Sequence, residues 1–125
     1  MTVEIVLAIL AAHWVADFVC QSDQMAVNKS RSNGWLTAHV MTYTVVMFPV
    51  AYYLFHEYKF DLVMAWLILN GALHWITDYT TSRISSWFWQ RERRHDFFVT
   101  IGFDQLIHYS CLFWSYAQMV EVNVK

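Results

Sequence analysis

The feature that most constrains this chain is a series of four apolar segments, each about as long as a membrane-crossing helix. A helix needs about 20 predominantly apolar residues to cross the hydrocarbon core of a bilayer. We predict helices at about 3–21, 35–56, 61–84 and 96–120. Because 125 residues leave room for one domain, the predicted fold class is all-α, with residues 1–125 forming a single transmembrane domain, a four-helix bundle.

Composition favours this membrane protein over a soluble helical bundle. Hydrophobic residues make up 58% of the chain and charged residues only 14%, against roughly 25% charged residues in soluble domains. A soluble domain of this size could not bury so many large apolar side chains without leaving extensive exposed patches. The net charge is −2, and without a basic bias no nucleic-acid partner is expected.

The positions of lysine and arginine predict the orientation of the helices. The first and third connections are basic, with Lys29 and Arg31 in one and Arg83, Arg91, Arg93 and Arg94 in or beside the other. The opposite end has only Lys59 and Lys125. By the positive-inside rule, both termini lie on the non-cytoplasmic side of a multi-pass protein of the inner (cytoplasmic) membrane. Membrane lipids are therefore expected partners, and the arginines either set the topology alone or also bind anionic headgroups.

Polar side chains recur at intervals of four residues along three of the apolar segments, and the second segment adds one histidine. The set comprises His13, Asp17 and Gln21; His39; Asn70, His74 and Asp78; and Asp104 and His108. This spacing places side chains on one face of a helix. At ~1.5 Å of rise per residue, the histidines and aspartates all fall in the cytoplasmic half. We therefore predict that they meet in one site that opens to the cytoplasm.

These side chains have the chemistry of a metal site. Imidazole nitrogens and carboxylate oxygens together suit zinc, manganese or iron, and there are enough of them for one or two ions. The predicted ligands are His13, Asp17, His39, His74, Asp78, Asp104 and His108. Ionisable groups within a membrane are costly and usually mark function. The alternative is that His–Asp pairs between helices only hold the bundle together.

Three motifs carry a family resemblance: His13-x-x-x-Asp17-Phe18-x-x-Gln21, His74-x-x-x-Asp78 and Asp104-Gln105-x-x-His108, with Lys29 and His39 between the first two. They resemble a family of uncharacterised integral membrane proteins of bacteria and their phages, which carries a domain of unknown function. The resemblance implies a four-helix membrane domain whose polar signature is this set of residues. It also implies a lysine one turn after Asp78, where this chain has Thr81, with Arg83 nearby.

The same motifs are more distantly similar to proposed metal-dependent hydrolases of the inner membrane, and to helical zinc phospholipases and nucleases. The leading hypothesis is therefore a metal-dependent hydrolase that acts on a phosphoester or lipid headgroup at the cytoplasmic face. Its candidate catalytic residues are Asp17, Asp78 and Asp104, and its candidate substrate-binding residues are Gln21, Lys29, Arg83 and Gln105.

Three alternatives have other chemistry. The chain could be a non-catalytic interaction protein of a phage or bacterial membrane, in which the His/Asp cluster is structural. It could be an ion transporter, although polar residues do not continue to the far side except at Gln118. It could bind haem through facing histidines, although a carboxylate accompanies almost every histidine. Small residues at Ala11-Ala12 and Gly71-Ala72 are candidate contacts for a homo-oligomer.

Overall fold

The computed structural model describes residues 1–124, with side chains described to Val122, and its regular elements are all helices. In chain order they are α1 (Val3–Trp14), a π-helical segment (Val15–Val19), α2 (Asp23–Asn28), α3 (Asn33–Phe55), α4 (Phe60–Gln90) and α5 (Arg94–Val124). The predicted all-α class is confirmed. The described residues form five α-helices, because the polar stretch after the first apolar segment contains α2, and the predicted four-helix transmembrane bundle is therefore not confirmed. Lys125, one of the two lysines predicted at the non-cytoplasmic end, lies outside the described residues.

The predicted helix ends differ most in α4 and α5. The prediction ended the third helix at residue 84, where serines interrupt the apolar run. Instead α4 continues to Gln90, because Ser85 remains on the buried face. Helix α5 begins at Arg94, two residues before the predicted start, and Asp96 in its first turn accepts a hydrogen bond from Arg93 Nε at 2.7 Å.

Hydroxyl side chains begin each of the first three α-helices. A cap of this kind satisfies a backbone N–H that has no partner within the helix. Thr2 accepts from the N–H of Ile5, Ser22 from that of Met25, and Ser32 from that of Trp35. Closely spaced caps at Ser22 and Ser32 fold the first connection into α2 and a tight turn. This compact connection brings Lys29, just after α2, beneath the bundle.

The long helices enclose an interior with two chemically different halves. Helix α4 packs between α3 and α5, and α1 contacts both α3 and α5. The half near the α3–α4 connection is apolar and is filled by Met47, Phe55, Val63, Trp66 and Leu112. The half near α2 contains the buried histidines and aspartates. All the polar chemistry of the interior is thus gathered toward one end.

Helices α3 and α4 lie close together at Gly71. A Cβ atom at this position would lie 3.0 Å from Thr44 Oγ1, which is closer than ordinary van der Waals contact. The Thr44 hydroxyl is itself held by the carbonyl of Val40 at 2.8 Å. Glycine at position 71 therefore permits the close packing that brings the histidines of α3 and α4 together.

Two helices in the described part of the chain, α3 and α4, are long and apolar enough to cross a membrane, judged by length and composition. Large apolar side chains project outward from every long helix: Leu7 and Trp14 on α1, Val45 on α3, Ile68 on α4, and Leu106 and Trp114 on α5. The outer surface is thus richly apolar, while part of the interior is polar.

Candidate metal centre

Four buried side chains from three elements form the centre of the polar interior. Asp17 comes from the π-helical segment, His39 from α3, and His74 and Asp78 from α4. His39 Nε2 lies 3.0 Å from Asp17 Oδ1 and 3.1 Å from His74 Nε2. Asp78 Oδ2 lies 3.3 Å from His39 Nε2 and 3.7 Å from His74 Nε2, and His74 Nε2 lies 3.4 Å from Asp17 Oδ1. We call these residues the quartet.

The spacing of the quartet fits a tetrahedral metal ion. Zinc is bound at about 2.0–2.2 Å by imidazole nitrogen or carboxylate oxygen, so neighbouring ligand atoms in a tetrahedron lie about 3.3 Å apart. The five separations given above range from 3.0 to 3.7 Å. Two imidazole nitrogens at 3.1 Å can share only one proton, whereas a single cation accepts both lone pairs. The residues therefore fit a divalent ion.

The Nδ1 atoms of His39 and His74 depart from the usual pattern of metal-binding histidines. Such histidines generally donate the second ring N–H to a carboxylate or carbonyl group. Here both buried Nδ1 atoms have no hydrogen-bond partner among the described residues. The orientation of the His74 ring instead comes from packing, since it stacks on Tyr43 and on His108, with 4.0 Å between ring centroids in each case.

The π-helical segment positions Asp17. Cys20 N–H bonds to the carbonyl of Val15 at 2.8 Å, the i to i+5 pattern that widens a helical turn. A single wide turn rotates the residues that follow it relative to a continuous α-helix, and such bulges are frequent at functional sites. Within this turn, Asp17 Oδ1 lies 3.0 Å from His39 Nε2, whereas Asp17 Oδ2 lies 3.7 Å from His13 Nε2.

Helix α5 adds a second group beside the quartet. His108 Nε2 lies 3.1 Å from Asp78 Oδ1 and 3.4 Å from Asp104 Oδ1. Asp17, Asp104 and His108 are also close enough together to share an ion. Thr81, one turn after Asp78, donates a short hydrogen bond to Asp104 Oδ1. This hydroxyl occupies the position where the family resemblance implied a lysine.

His13 belongs to the cluster through a different partner. The Gln105 amide NH2 donates to Asp17 Oδ2 at 2.9 Å and to Asp104 Oδ2 at 3.0 Å. Its carbonyl oxygen lies 3.0 Å from His13 Nε2, which must be the donor. His13 thus orients Gln105, and Gln105 orients two carboxylates. Among the described residues, the groups spaced to hold an ion do not include His13, so its predicted role as a ligand stays a prediction.

A cavity of about 490 Å³ opens onto the three carboxylates. Asp17, Asp78 and Asp104 line it, together with Gln21, Lys29 and Gln105 from the predicted substrate-binding set. The histidines lie behind the carboxylates. Gln21 Oε1 is buried with no hydrogen-bond partner among the described residues. Arg83 does not line the cavity: its guanidinium stacks on Tyr79, 3.7 Å from the ring centroid, and donates to Asn33.

Lys29 is the cation already present at this cluster. Its Nζ lies 2.8 Å from Asp78 Oδ2, and only 17% of its side chain is exposed. Burial lowers the pKa of the Lys29 ammonium, but the nearby carboxylates of Asp78 and Asp17 outweigh burial and hold the pKa above its ordinary value. Lys29 therefore carries a full positive charge beside the quartet and at the wall of the cavity.

Hydroxyl groups on α4 that the sequence did not predict as site residues also line the cavity. Thr81, Ser82, Ser85 and Ser86 form a polar strip that leads from Asp78 toward the mouth. The signal was present, because Thr81 and Ser85 continue the face of α4 that holds His74 and Asp78.

Comparison with known proteins identifies a family and no reaction. Residues 5–125 match the family described as "Protein of unknown function (DUF3307)", and the chain therefore belongs to this family. No curated protein and no solved structure matches the chain. The expected resemblance to an uncharacterised family is confirmed. Its further parts, similarity to membrane proteins and to metal-dependent hydrolases, stay predictions.

Proposed function

We propose that this member of the DUF3307 family is an integral membrane protein that hydrolyses a phosphoester, in a lipid headgroup, with the help of a divalent metal ion. The observation that carries the proposal is the quartet itself: four buried ligand atoms with the spacing of a metal site, whose carboxylates line a cavity that Lys29 also lines. Each further step of the proposal rests on a separate property of the molecule.

The distribution of polarity supports a membrane location. Side chains such as Val45, Ile68 and Leu106 are 60 to 68% exposed on three different helices, while the histidines and aspartates are buried. In water the exposure of so many large apolar side chains would be unfavourable, whereas in a bilayer apolar groups face lipid and ionisable groups face the bundle interior. At ~1.5 Å per residue, the 23 residues of α3 and the 31 of α4 exceed the ~30 Å hydrocarbon core.

The arginines near the cavity support its placement at the cytoplasmic face. Arg91 lies over the ring of Trp87 at 3.9 Å, and Arg94 lies over that of Trp89 at 3.6 Å. Trp89 also lines the cavity, as does Arg31. Aromatic rings with cationic groups beyond them are typical of the headgroup layer, and excess basic residues face the cytoplasm. The mouth of the cavity then lies at the level of lipid phosphates.

The proposed chemistry divides between the ion and the chain. A bound divalent ion would polarise a phosphoryl oxygen and lower the pKa of a coordinated water toward about 7. Lys29 and the hydroxyl of Ser82, which lines the cavity and has no hydrogen-bond partner among the described residues, would hold the anionic phosphate. In hydrolysis the water oxygen bonds to phosphorus as the P–O bond to the leaving alcohol breaks. A carboxylate lining the cavity would accept the proton that water loses, and the alcohol oxygen would take up a proton.

The apolar half of the interior favours a hydrolase over a transporter. The polar interior ends at a hydrogen bond between Asn70 Nδ2 and Ser115 Oγ, at 2.9 Å. Beyond that pair, Trp66, Phe55 and Val63 fill the space. Gln118, the polar residue that could have extended a path, is exposed on the outer surface. A site that is open at one end suits a reaction with a substrate from one side.

The test is hydrolysis by the full chain in lipid nanodiscs, with zinc, manganese or iron(II) supplied in turn. Phosphatidic acid and phosphatidylglycerol serve as lipid substrates, and a soluble aryl phosphate serves as a headgroup without a lipid chain. We expect metal-dependent release of phosphate or headgroup that chelators abolish and that Asp78→Asn lowers at least 100-fold. His56→Ala, outside the cluster, is the matched control. Metal-loaded protein that hydrolyses none of the three substrates would contradict the proposal.

A further inference from the structure

We propose that the site is built for two metal ions bridged by the carboxylate of Asp78. This inference rests on the proposed metal binding but not on the proposed reaction. It starts from the two oxygens of Asp78, which face different partners. Oδ2 faces His39 Nε2 and His74 Nε2, at 3.3 and 3.7 Å, whereas Oδ1 faces His108 Nε2 at 3.1 Å. One carboxylate thus contributes an oxygen to the quartet and an oxygen to the group on α5.

The second group has the spacing of a separate ion site. From His108 Nε2, the distance to Asp78 Oδ1 is 3.1 Å and that to Asp104 Oδ1 is 3.4 Å. Both are close to the ~3.3 Å expected between ligand atoms that bind one ion of zinc size. Asp104 Oδ1 is oriented by Thr81, and Asp104 Oδ2 by Gln105. Because both oxygens accept a hydrogen bond, the Asp104 carboxylate is held with Oδ1 toward His108 rather than left to rotate.

Asp17 lies between the two groups in the same way. It is close enough to share an ion with His39, His74 and Asp78, and equally with Asp104 and His108. Its Oδ1 contacts His39, and its Oδ2 accepts the Gln105 amide that also binds Asp104. Asp17 is thus a candidate second bridge, and the Gln105 amide holds it beside Asp104.

The stacked histidines present their nitrogens to neighbouring positions. The rings of His74 and His108 are nearly parallel, with 4.0 Å between centroids and 20° between planes. His74 belongs to the quartet and His108 to the second group, so adjacent rings serve adjacent ions. Two-metal sites of phosphatases and nucleases hold their ions about 3.5–4 Å apart, a separation that suits attack and departure at one phosphorus.

The net charge of the cluster with two divalent ions is balanced only when an anion is also bound. Three carboxylates supply three negative charges, and two divalent ions supply four positive charges, to which Lys29 adds a fifth. The surplus of two positive charges would attract an anionic phosphate into the cavity. A single ion with Lys29 would leave the cluster neutral, without that attraction.

The experiment counts manganese ions in the full chain, purified in mild detergent and loaded with Mn²⁺, by elemental analysis and electron paramagnetic resonance. We expect two ions per chain and the spectrum of a magnetically coupled pair. Asp104→Asn and His108→Gln, which replace ligands of the second group and none of the quartet, should each retain one ion with the spectrum of an isolated Mn²⁺. His56→Ala should retain the coupled pair.

The outcomes separate this inference from the proposed function. One ion per wild-type chain with an uncoupled spectrum would overturn the pair, while hydrolysis by that protein would leave the proposed function standing. Two coupled ions in a protein that hydrolyses no phosphoester would uphold the pair and overturn the reaction. A second-group variant that still holds two coupled ions would also overturn the assignment.

Discussion

Replacing Lys29 with methionine should destabilise the metal-free protein and tighten metal binding. Lys29 Nζ lies 2.8 Å from Asp78 Oδ2, and only 2% of the Asp78 side chain is exposed. Removing one partner of a buried ion pair costs about 3–5 kcal/mol, because the other charge stays buried without a partner. Since 17% of the Lys29 side chain remains exposed, we take the lower value, about 3 kcal/mol.

The same free energy sets the expected change in affinity. In the wild-type protein an ion must replace Lys29 as the cation nearest Asp78 Oδ2, and in Lys29→Met no cation has to be displaced. At 1.4 kcal/mol for each factor of ten, about 3 kcal/mol corresponds to roughly 100-fold tighter binding. The ion should also restore to the variant most of the thermal stability that it loses without metal.

The assay is competition for Zn²⁺ against a chromophoric chelator in detergent micelles, with thermal unfolding followed by circular dichroism with and without metal. Lys59→Met is the matched control, because it removes the same charge from an exposed position just before α4. Unchanged affinity and unchanged metal-free stability in Lys29→Met would refute this reasoning. Weaker metal binding would also refute it, since Lys29 would then stabilise the metal-bound form.

Three further predictions concern the cluster, the packing and the topology. Asp78→Asn should lose metal but keep an amide oxygen for the donors around it, whereas Asp78→Ala should lower stability by about 1–3 kcal/mol more, because buried donors lose their acceptor; metal content and thermal unfolding distinguish them. Gly71→Ala should cost about 1–3 kcal/mol, measured by unfolding, because the new methyl group meets Thr44 Oγ1 at 3.0 Å; an unchanged stability would contradict this close approach. Ser30→Cys in whole cells should react with thiol reagents only from the cytoplasm, and labelling from outside would contradict the predicted orientation.

Periodicity could predict which residues share the site because the helix fixes the direction of each side chain along its axis. Intervals of four residues placed His74 with Asp78 and Asp104 with His108, and these pairs do meet. The same rule fails in detail at His13, because Asp17 lies within a wide turn and the imidazole of His13 contacts Gln105. Hydrogen-bonding in a single wide turn leaves no periodic signal in the sequence.

The remaining differences come from interactions that spacing does not encode. Arg83 is a candidate substrate-binding residue by its positive charge, but its guanidinium stacks on the ring of Tyr79, four residues earlier, and does not line the cavity. Thr81 and Ser85 are not among the predicted site residues, although both lie on the buried face of α4. Helix α2 depends on the cap at Ser22 rather than on an apolar face, since none of its residues is buried.

The most direct test of the metal site is the metal content of wild-type protein purified gently from membranes, measured by elemental analysis beside Asp78→Asn. We expect at least one equivalent of zinc, manganese or iron per wild-type chain, removal of that metal by chelators with a loss of thermal stability, and little or no metal in the variant. Wild-type protein that is metal-free after reloading with each ion, and whose stability is the same with and without chelator, would contradict the account.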